Sequence, residues 1–202
     1  MYVYAIPYDR KATGVLTRSQ VRAVALPDPN FAITASRDGT TKTWKRTAEN
    51  PPTYESTESS HGAAYKTCVA YVPPTEEYPE GLVISGGQDT IIEARRPAST
   101  AESNADGLMI GHANQVSSLD VNTDEGWIVS GSWDGTAKLW RIGQWEPEVE
   151  FPGHRGTVWA VVAYSHEIVV TGVSSQPSCK GQTKEVQDVL TKGYVSLIPE
   201  PR

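Results

Sequence analysis

The sequence predicts an all-β fold built from repeated four-stranded units. Three observations support this prediction: an internal repeat, short alternating apolar runs rich in β-branched residues, and Asp-Gly pairs between those runs. The composition agrees, because 17 glycines and 14 prolines in 202 residues, with 21% charged residues, are typical of a turn-rich β protein.

The repeat is clearest when residues 21–46 are aligned with residues 116–142. Both segments read as an apolar strand, a polar turn, an apolar strand ending in Ser, an Asp-Gly-Thr turn and a strand ending in Trp. Residues 68–97 repeat the pattern with an insertion and without the Trp, and residues 153–172 begin a fourth copy.

The spacing of the copies indicates the architecture. The turn residues Asp38, Asp89 and Asp134 follow one another at intervals of 51 and 45 residues. These intervals lie near the ~40–45 residues of a four-stranded propeller blade. Because a lone four-stranded sheet cannot bury both of its faces, we expect the sheets to stack radially.

The third copy is complete enough to place its strands. Asp134-Gly135 is a hairpin signal, since glycine adopts a positive φ without steric cost. We expect the strands of this copy at residues 116–121, 127–132, 136–141 and 146–150.

The third copy also carries a recognisable signature, in which Gly111-His112 is followed by Ser130, Asp134 and Trp140. On these residues the chain resembles a WD-repeat propeller. The resemblance implies a hydrogen-bond chain from Trp through Ser and His to Asp that holds the blade together. Other copies retain parts of this framework, namely Asp38, Trp44, Asp89 and His154.

Four motifs narrow the resemblance. "SRDGTTKTW", "YPEGLVISGGQDTII", "GSWDGTAKLW" and "GTVWAV" are together similar to the N-terminal propeller of the phospholipase A-2-activating protein family. Members of that family are ubiquitin-binding cofactors of an AAA-type segregase ATPase. The resemblance therefore implies a partner, ubiquitin or ubiquitinated proteins, and a segregase in full-length relatives through a domain that the matched region lacks.

The repeat pattern predicts three regions: an atypical N-terminal segment at 1–17, a partial WD-repeat propeller at 18–172, and a polar, non-homologous tail at 173–202 that is disordered or weakly helical. The propeller would hold about three and a half blades of an expected seven, since seven blades need ~300 residues. We therefore expect a truncated family member with exposed strand edges and apolar faces. A closed four-blade ring is the alternative.

Catalysis and metal binding are not expected. His112, Ser130 and Asp134 occur together, but no G-x-S-x-G elbow would expose a nucleophile, and a buried Trp and carboxylate need those hydrogen bonds. Residues 120–126 resemble the start of a calcium loop but have Glu125 at the position that requires Gly, so a polar turn is the better interpretation. We expect no metal ion and no cofactor.

The residues that folding leaves unexplained predict a partner surface. In a WD-repeat blade, the residue before the turn Asp and the residue after the first apolar position of the inner strand project toward one face. These rules select Arg22, Arg37, Gln88, Ser117, Trp133 and Trp159. Tryptophan and arginine are enriched in binding hot spots, so this composition favours protein recognition.

The bulk properties limit the partners further. A net charge of −6 without a basic run makes nucleic acid an unexpected partner, and no apolar run approaches the ~18–20 residues of a membrane span. The two cysteines, Cys68 and Cys179, predict a reducing compartment, the cytoplasm or nucleus. The resemblance implies a non-enzymatic ubiquitin-binding protein in ubiquitin recycling and ubiquitin-dependent catabolism. A WD-repeat scaffold for another protein is the alternative.

Overall fold

In the computed structural model, four antiparallel sheets account for all the regular secondary structure of the described residues. The structure describes residues 20–49, 52–61, 64–100, 103–152, 154, 156–163, 169–174 and 193–197. All fifteen elements within these ranges are strands, so the predicted all-β propeller-type fold is confirmed. Within these ranges there is no helix of the length and hydropathy that is needed to span a membrane.

The sheets follow one another in chain order, and each strand pairs with its sequence neighbour. The first and second sheets comprise β1 (Val21–Asp28), β2 (Phe31–Ser36), β3 (Thr40–Glu49), β4 (Pro52–His61), β5 (Lys66–Val72), β6 (Leu82–Gly87), β7 (Ile92–Arg95) and β8 (Gly107–Met109). The third and fourth comprise β9 (Val116–Asn122), β10 (Trp127–Ser132), β11 (Ala137–Arg141), β12 (Pro147–Phe151), β13 (Val158–Ala163), β14 (Val169–Ser174) and β15 (Gly193–Leu197).

The third sheet confirms the predicted strands to within one residue at each end. Its register is fixed by the β10–β11 hairpin, in which Gly131 pairs with Ala137 and Ile128 pairs with Trp140. The turn between them has Gly135 at φ +82°, as the Asp-Gly signal predicted.

The fourth sheet differs from the sequence-based expectation. Gly193–Leu197 forms β15 and pairs antiparallel with β14, where the sequence predicted a polar tail, disordered or weakly helical, from residue 173 onward. The segment lacks the Asp-Gly turn and the Trp that mark this strand in other copies, so the repeat signature does not predict it. Residues 183–192, the part of this tail whose apolar spacing predicts a weak helix, and the N-terminal segment 1–17 lie outside the described residues.

The chain divides into two compact units, each with its own core. The first unit holds the first sheet with most of β5–β7, and in it β1 packs against β5. Its buried cluster consists of Ile33, Ala35, Val69 and Val83. Burial of the isoleucine and valine side chains in this cluster stabilises the unit by ~1.5–3 kcal/mol each.

The second unit holds β8, the third sheet and the fourth sheet. The faces of the third and fourth sheets meet in a second buried cluster: Trp127, Val129, Ala137, Leu139, Val158 and Val161. Side chains of β9 also accept backbone hydrogen bonds from β13, where Val161 N donates to Ser118 Oγ at 3.3 Å and Ala163 N donates to Asp120 Oδ2 at 2.8 Å. The apolar contacts, together with the hydrogen bonds that these backbone N–H groups of β13 donate, hold β13 beside the third sheet.

Gly135 is constrained by both backbone conformation and packing. A Cβ atom there would lie 2.9 Å from the backbone oxygen of His154, whereas a Cβ at Gly126, also at positive φ, would meet nothing within 4 Å. We expect Gly126→Ala to cost about 1 kcal/mol for the left-handed conformation alone. Gly135→Ala should cost about 2–3 kcal/mol, because the backbone of His154 must also move. Equilibrium urea unfolding of both variants checks this, and equal losses would refute the packing argument.

Candidate functional site

The signature residues of the third sheet form one continuous hydrogen-bond chain. Trp140 Nε1 lies 2.8 Å from Ser130 Oγ, Ser130 Oγ lies 2.7 Å from His112 Nε2, and His112 Nδ1 lies 2.9 Å from Asp134 Oδ2. Trp140 Nε1–H can only donate, so Ser130 Oγ accepts from it, and the Ser130 hydroxyl donates a hydrogen bond to His112 Nε2. His112 is then neutral, with its proton on Nδ1 facing Asp134.

The protonation states of this chain follow from burial and hydrogen bonding. Burial lowers the pKa of His112 below its usual 6.5, although the neighbouring Asp134 carboxylate partly opposes the shift. For Asp134, burial works to raise the pKa, but hydrogen bonds from Thr136, Ala113 and His112 prevail and lower it from 3.8 to about 2. At neutral pH His112 is therefore a neutral imidazole and Asp134 is an ionised carboxylate.

Asp134 is the acceptor on which the turn depends. Its Oδ1 accepts from Thr136 N at 2.8 Å and from Thr136 Oγ1 at 2.7 Å, and its Oδ2 accepts from Ala113 N at 2.9 Å. With His112, four donors converge on one carboxylate. This residue joins the loop before β9 to the β10–β11 turn.

The Ser-His-Asp geometry resembles a nucleophilic triad, but the serine is unavailable to a substrate. Ser130 is fully buried and its oxygen already accepts the indole N–H of Trp140. A nucleophile needs an exposed oxygen and a site for the developing oxyanion. The hydrogen-bond chain from Trp140 to Asp134 therefore stabilises the blade.

The first sheet carries a shorter version of the same framework. Trp44 Nε1 donates to Thr34 Oγ1 at 3.0 Å, and Asp38 Oδ1 accepts from Thr40 N at 3.1 Å and from Thr40 Oγ1 at 2.6 Å. The residue at the histidine position, Thr17, lies outside the described residues.

The other predicted framework residues lie in the second and fourth sheets. Asp89 is half-buried in the β6–β7 turn. His154 Nε2 lies 2.9 Å from Thr171 Oγ1, which matches the contact between His112 and Ser130, and burial lowers the pKa of His154.

Two predicted partner-binding residues meet on the surface of the second unit. Trp133 begins the β10–β11 turn and Trp159 occupies a β-bulge at the start of β13. Their rings pack edge to face, with centroids 5.3 Å apart and an interplanar angle of 62°, yet they stay 40% and 52% exposed. A paired aromatic surface is rigid and can gain contact area at low entropic cost. We call Trp133 and Trp159 the tryptophan pair.

The remaining predicted surface residues of the second unit differ from one another. Gln88 is exposed. Ser117 is only half-buried, but its hydroxyl contacts Gly131 O at 3.0 Å and also contacts Val158 O. The sequence predicted Ser117 as a partner-binding residue. In the structure its hydroxyl instead hydrogen-bonds to backbone carbonyls where the third and fourth sheets pack.

The two predicted arginines lie in the first unit. Arg22 is exposed at a β1 bulge, and Arg37 is exposed after β2 with its guanidinium carbon 5.8 Å from the centroid of the Tyr65 ring. This contact with the aromatic face of Tyr65 orients the Arg37 guanidinium.

Sequence reasoning missed the role of Asp120. The predicted strand at 116–121 contains Asp120, but the contact in which its Oδ2 accepts a hydrogen bond from Ala163 N was not predicted. The apolar–polar alternation of β9 was the available signal, although it does not reveal which strand supplies the donor.

Comparison with known proteins agrees with this geometry. The family description "WD domain, G-beta repeat" matches residues 106–141. The chain is 31% identical over 149 residues to phospholipase A-2-activating protein of Xenopus laevis. The aligned region covers 71% of this chain and 17% of the relative. It is 32% identical over 129 residues to ubiquitin homeostasis protein lub1 of Schizosaccharomyces pombe, which covers 63% of this chain and 17% of the relative.

A solved structure supports the same relationship. The WD40 β-propeller domain of Doa1 superposes with a TM-score of 0.66 at 29% identity, covering 77% of this chain and 48% of that one. The chain thus spans about half of that propeller chain and about one sixth of the curated relatives. The resemblance predicted from the motifs is confirmed: the chain is a WD-repeat β-propeller protein similar to the propeller of the phospholipase A-2-activating protein family.

Proposed function

We propose that this chain is a non-enzymatic ubiquitin-binding WD-repeat protein whose contact surface is centred on the tryptophan pair. The observation that carries the proposal is the exposure of two indoles packed against each other at 5.3 Å. Exposed tryptophans that neighbouring residues hold in place are typical binding anchors. One relative's name, ubiquitin homeostasis protein lub1, supports ubiquitin as the partner.

The chemistry of the two surfaces is compatible. The contact patch of ubiquitin is apolar with a basic rim, so the tryptophan pair would cover the apolar centre. The net charge of −6 would favour approach of the basic rim. Arg22 and Arg37 suit a basic rim only if they bond to backbone carbonyls. The process we propose is ubiquitin recycling and ubiquitin-dependent protein catabolism linked to the proteasome, in the cytoplasm and nucleus, beside an AAA-type segregase.

Titration of isotope-labelled ubiquitin with the full chain, followed by NMR, tests this proposal. We expect shifts at the apolar patch of ubiquitin. Trp133→Ala and Trp159→Ala should each weaken binding about tenfold or more, because each removes a hot-spot side chain and loosens the other. Ile110→Ala is the matched control, since Ile110 is 63% exposed in the same unit, and its affinity should stay within about twofold.

Two results would refute the proposal. Absence of shifts at the apolar patch would exclude ubiquitin as the partner, and a pull-down dominated by another protein would then favour the scaffold function. Equal affinity of the wild type and both tryptophan variants would exclude the tryptophan pair as the contact surface.

A further inference from the structure

The first sheet has an apolar face that the described residues leave uncovered. Along β1, Ala23 and Ala25 face the buried cluster of the first unit. Val24 and Leu26 alternate with them and therefore point to the opposite face, where they are 48% and 68% exposed. Such adjacent exposed aliphatic side chains are uncommon on a surface without a partner.

A tryptophan on the same face supports this observation. Trp44 pairs across the sheet with Ala32, two positions from Thr34, which pairs with Val24, so all four side chains share one face. Trp44 is only half-buried, whereas Trp140, its counterpart in the third sheet, is fully buried. The first sheet thus leaves partly exposed the face that carries Trp44, whereas Trp140 on the equivalent face of the third sheet is buried.

The fourth sheet has an uncovered face of its own. Val158 and Val161 of β13 pack into the core of the second unit. Ala160 and Val162 point the other way and are exposed, Val162 by 52%. Ala160 lies opposite Gly172, so this face is shallow and carries small side chains.

The two faces correspond to the two halves of one kind of interface. β1 and β13 both have a bulge after their first residue, at Arg22 and Trp159 respectively, and this aligns Ala23 and Ala25 with Ala160 and Val162. Ala23 and Ala25 pack against the next sheet within their unit. The face of Ala160 and Val162 is therefore equivalent to one that already packs on a following sheet.

The opposite half of the interface is on the first sheet. By the same alignment, Val24 corresponds to Val161, which packs against the preceding sheet in the second unit. The face that carries Val24 and Leu26 is therefore equivalent to the face of the fourth sheet that packs against its preceding sheet. We propose that a second copy of this chain supplies the preceding sheet, with the β13 face of one copy packed head to tail on the β1 face of the next.

A second copy fits because every chain carries both complementary faces. The contact joins two different surfaces and is therefore heterologous, and it repeats from copy to copy. It uses the sheet-on-sheet packing already present within each unit. Lys42 and Glu58 share the face of Val24, but they pair with each other at 3.5 Å, so association need not bury an unpaired charge.

Light scattering after size exclusion tests the proposal on the full chain without ubiquitin. We expect the wild type to exceed the 22.0 kDa of one chain. Leu26→Glu and Val162→Lys should each weaken association about tenfold or more, because each places an unpaired charge in an apolar contact. Both residues are exposed, so the single chain should keep its fold, which circular dichroism would verify.

The double variant identifies the pairing. Leu26→Glu combined with Val162→Lys should restore association, because the two new charges meet between copies, whereas Leu26→Glu with Val162→Glu should not. Ile110→Lys is the matched control and should leave the mass unchanged, because Ile110 is an exposed aliphatic side chain that belongs to neither β1 nor β13.

A monomeric wild type at about 100 µM would overturn the proposal, since the faces would then be covered within the chain or left in water. Association that survives both single charge variants would overturn it as well. Neither result bears on ubiquitin binding, which depends on the tryptophan pair.

Discussion

Replacing Trp140 with alanine is expected to lower the free energy of unfolding by about 4 kcal/mol, the largest loss we predict for a single side chain. The indole is fully buried and packs edge to face against His112 with ring centroids 6.1 Å apart. Its removal leaves a cavity and takes away the donor that orients Ser130. Equilibrium denaturation followed by circular dichroism measures the change.

Two comparisons separate the contributions to this loss. Trp140→Phe keeps much of the volume and removes the N–H donor, so it should cost about 1–2 kcal/mol. Trp44→Ala is the matched control, because Trp44 makes the equivalent bond to Thr34 but is only half-buried. It should cost about half as much as Trp140→Ala when measured on dilute monomer. Equal losses for the two alanine variants would contradict the difference in burial.

The sequence was most informative where local signals repeat. In the third sheet, the Asp-Gly turn fixes the hairpin and Trp140 follows Asp134 by six residues, so strand register and framework are set within one short stretch. The strands could therefore be predicted from this stretch, whereas the hydrogen-bond chain from Trp140 through His112 to Asp134 was expected from the resemblance to a WD-repeat propeller. A signal that depends on one turn needs no knowledge of distant residues.

Features that depend on distant strands were not predictable in the same way. Trp133 and Trp159 were selected separately by a rule for exposed positions, and their edge-to-face contact requires β13 to lie beside β10. Ser117 satisfies the same rule but contacts the Val158 carbonyl across that boundary. β15 was missed because its segment carries none of the repeat residues. In each case the deciding partner is far away along the chain.

Replacing Asp134 with alanine is expected to cost about 3 kcal/mol at pH 7. The change leaves the donors Ala113 N, Thr136 N, Thr136 Oγ1 and His112 Nδ1 without their common acceptor. Asp134→Asn retains one oxygen acceptor and should lose about half as much. Asp124→Ala is the control, because Asp124 is exposed in the β9–β10 turn, and its loss should stay within about 0.5 kcal/mol.

The pH dependence of stability distinguishes the two titrating partners of this chain. Because burial lowers the folded-state pKa of His112, the unfolded chain binds a proton first, and stability is present above pH 6.5 and falls as the pH drops below it. His154 adds a loss of the same sign. The slope should reach at most about 1.4 kcal/mol per pH unit for each histidine. His112→Gln should flatten this region.

Asp134 acts at lower pH. Its pKa falls from 3.8 to about 2 on folding, so its contribution is complete above pH 3.8 and is lost as the pH drops toward 2. Asp134→Ala should therefore remove the pH dependence between about 4 and 2 that the wild type shows. It should also deepen the loss below pH 6.5, because the carboxylate no longer opposes the lowering of the His112 pKa. Unfolding free energies measured from about pH 8 to about pH 2 for the wild type, Asp134→Ala and His112→Gln would show both effects. A wild-type profile that stays flat below pH 6.5 would mean that His112 is not held as the neutral imidazole between Ser130 and Asp134.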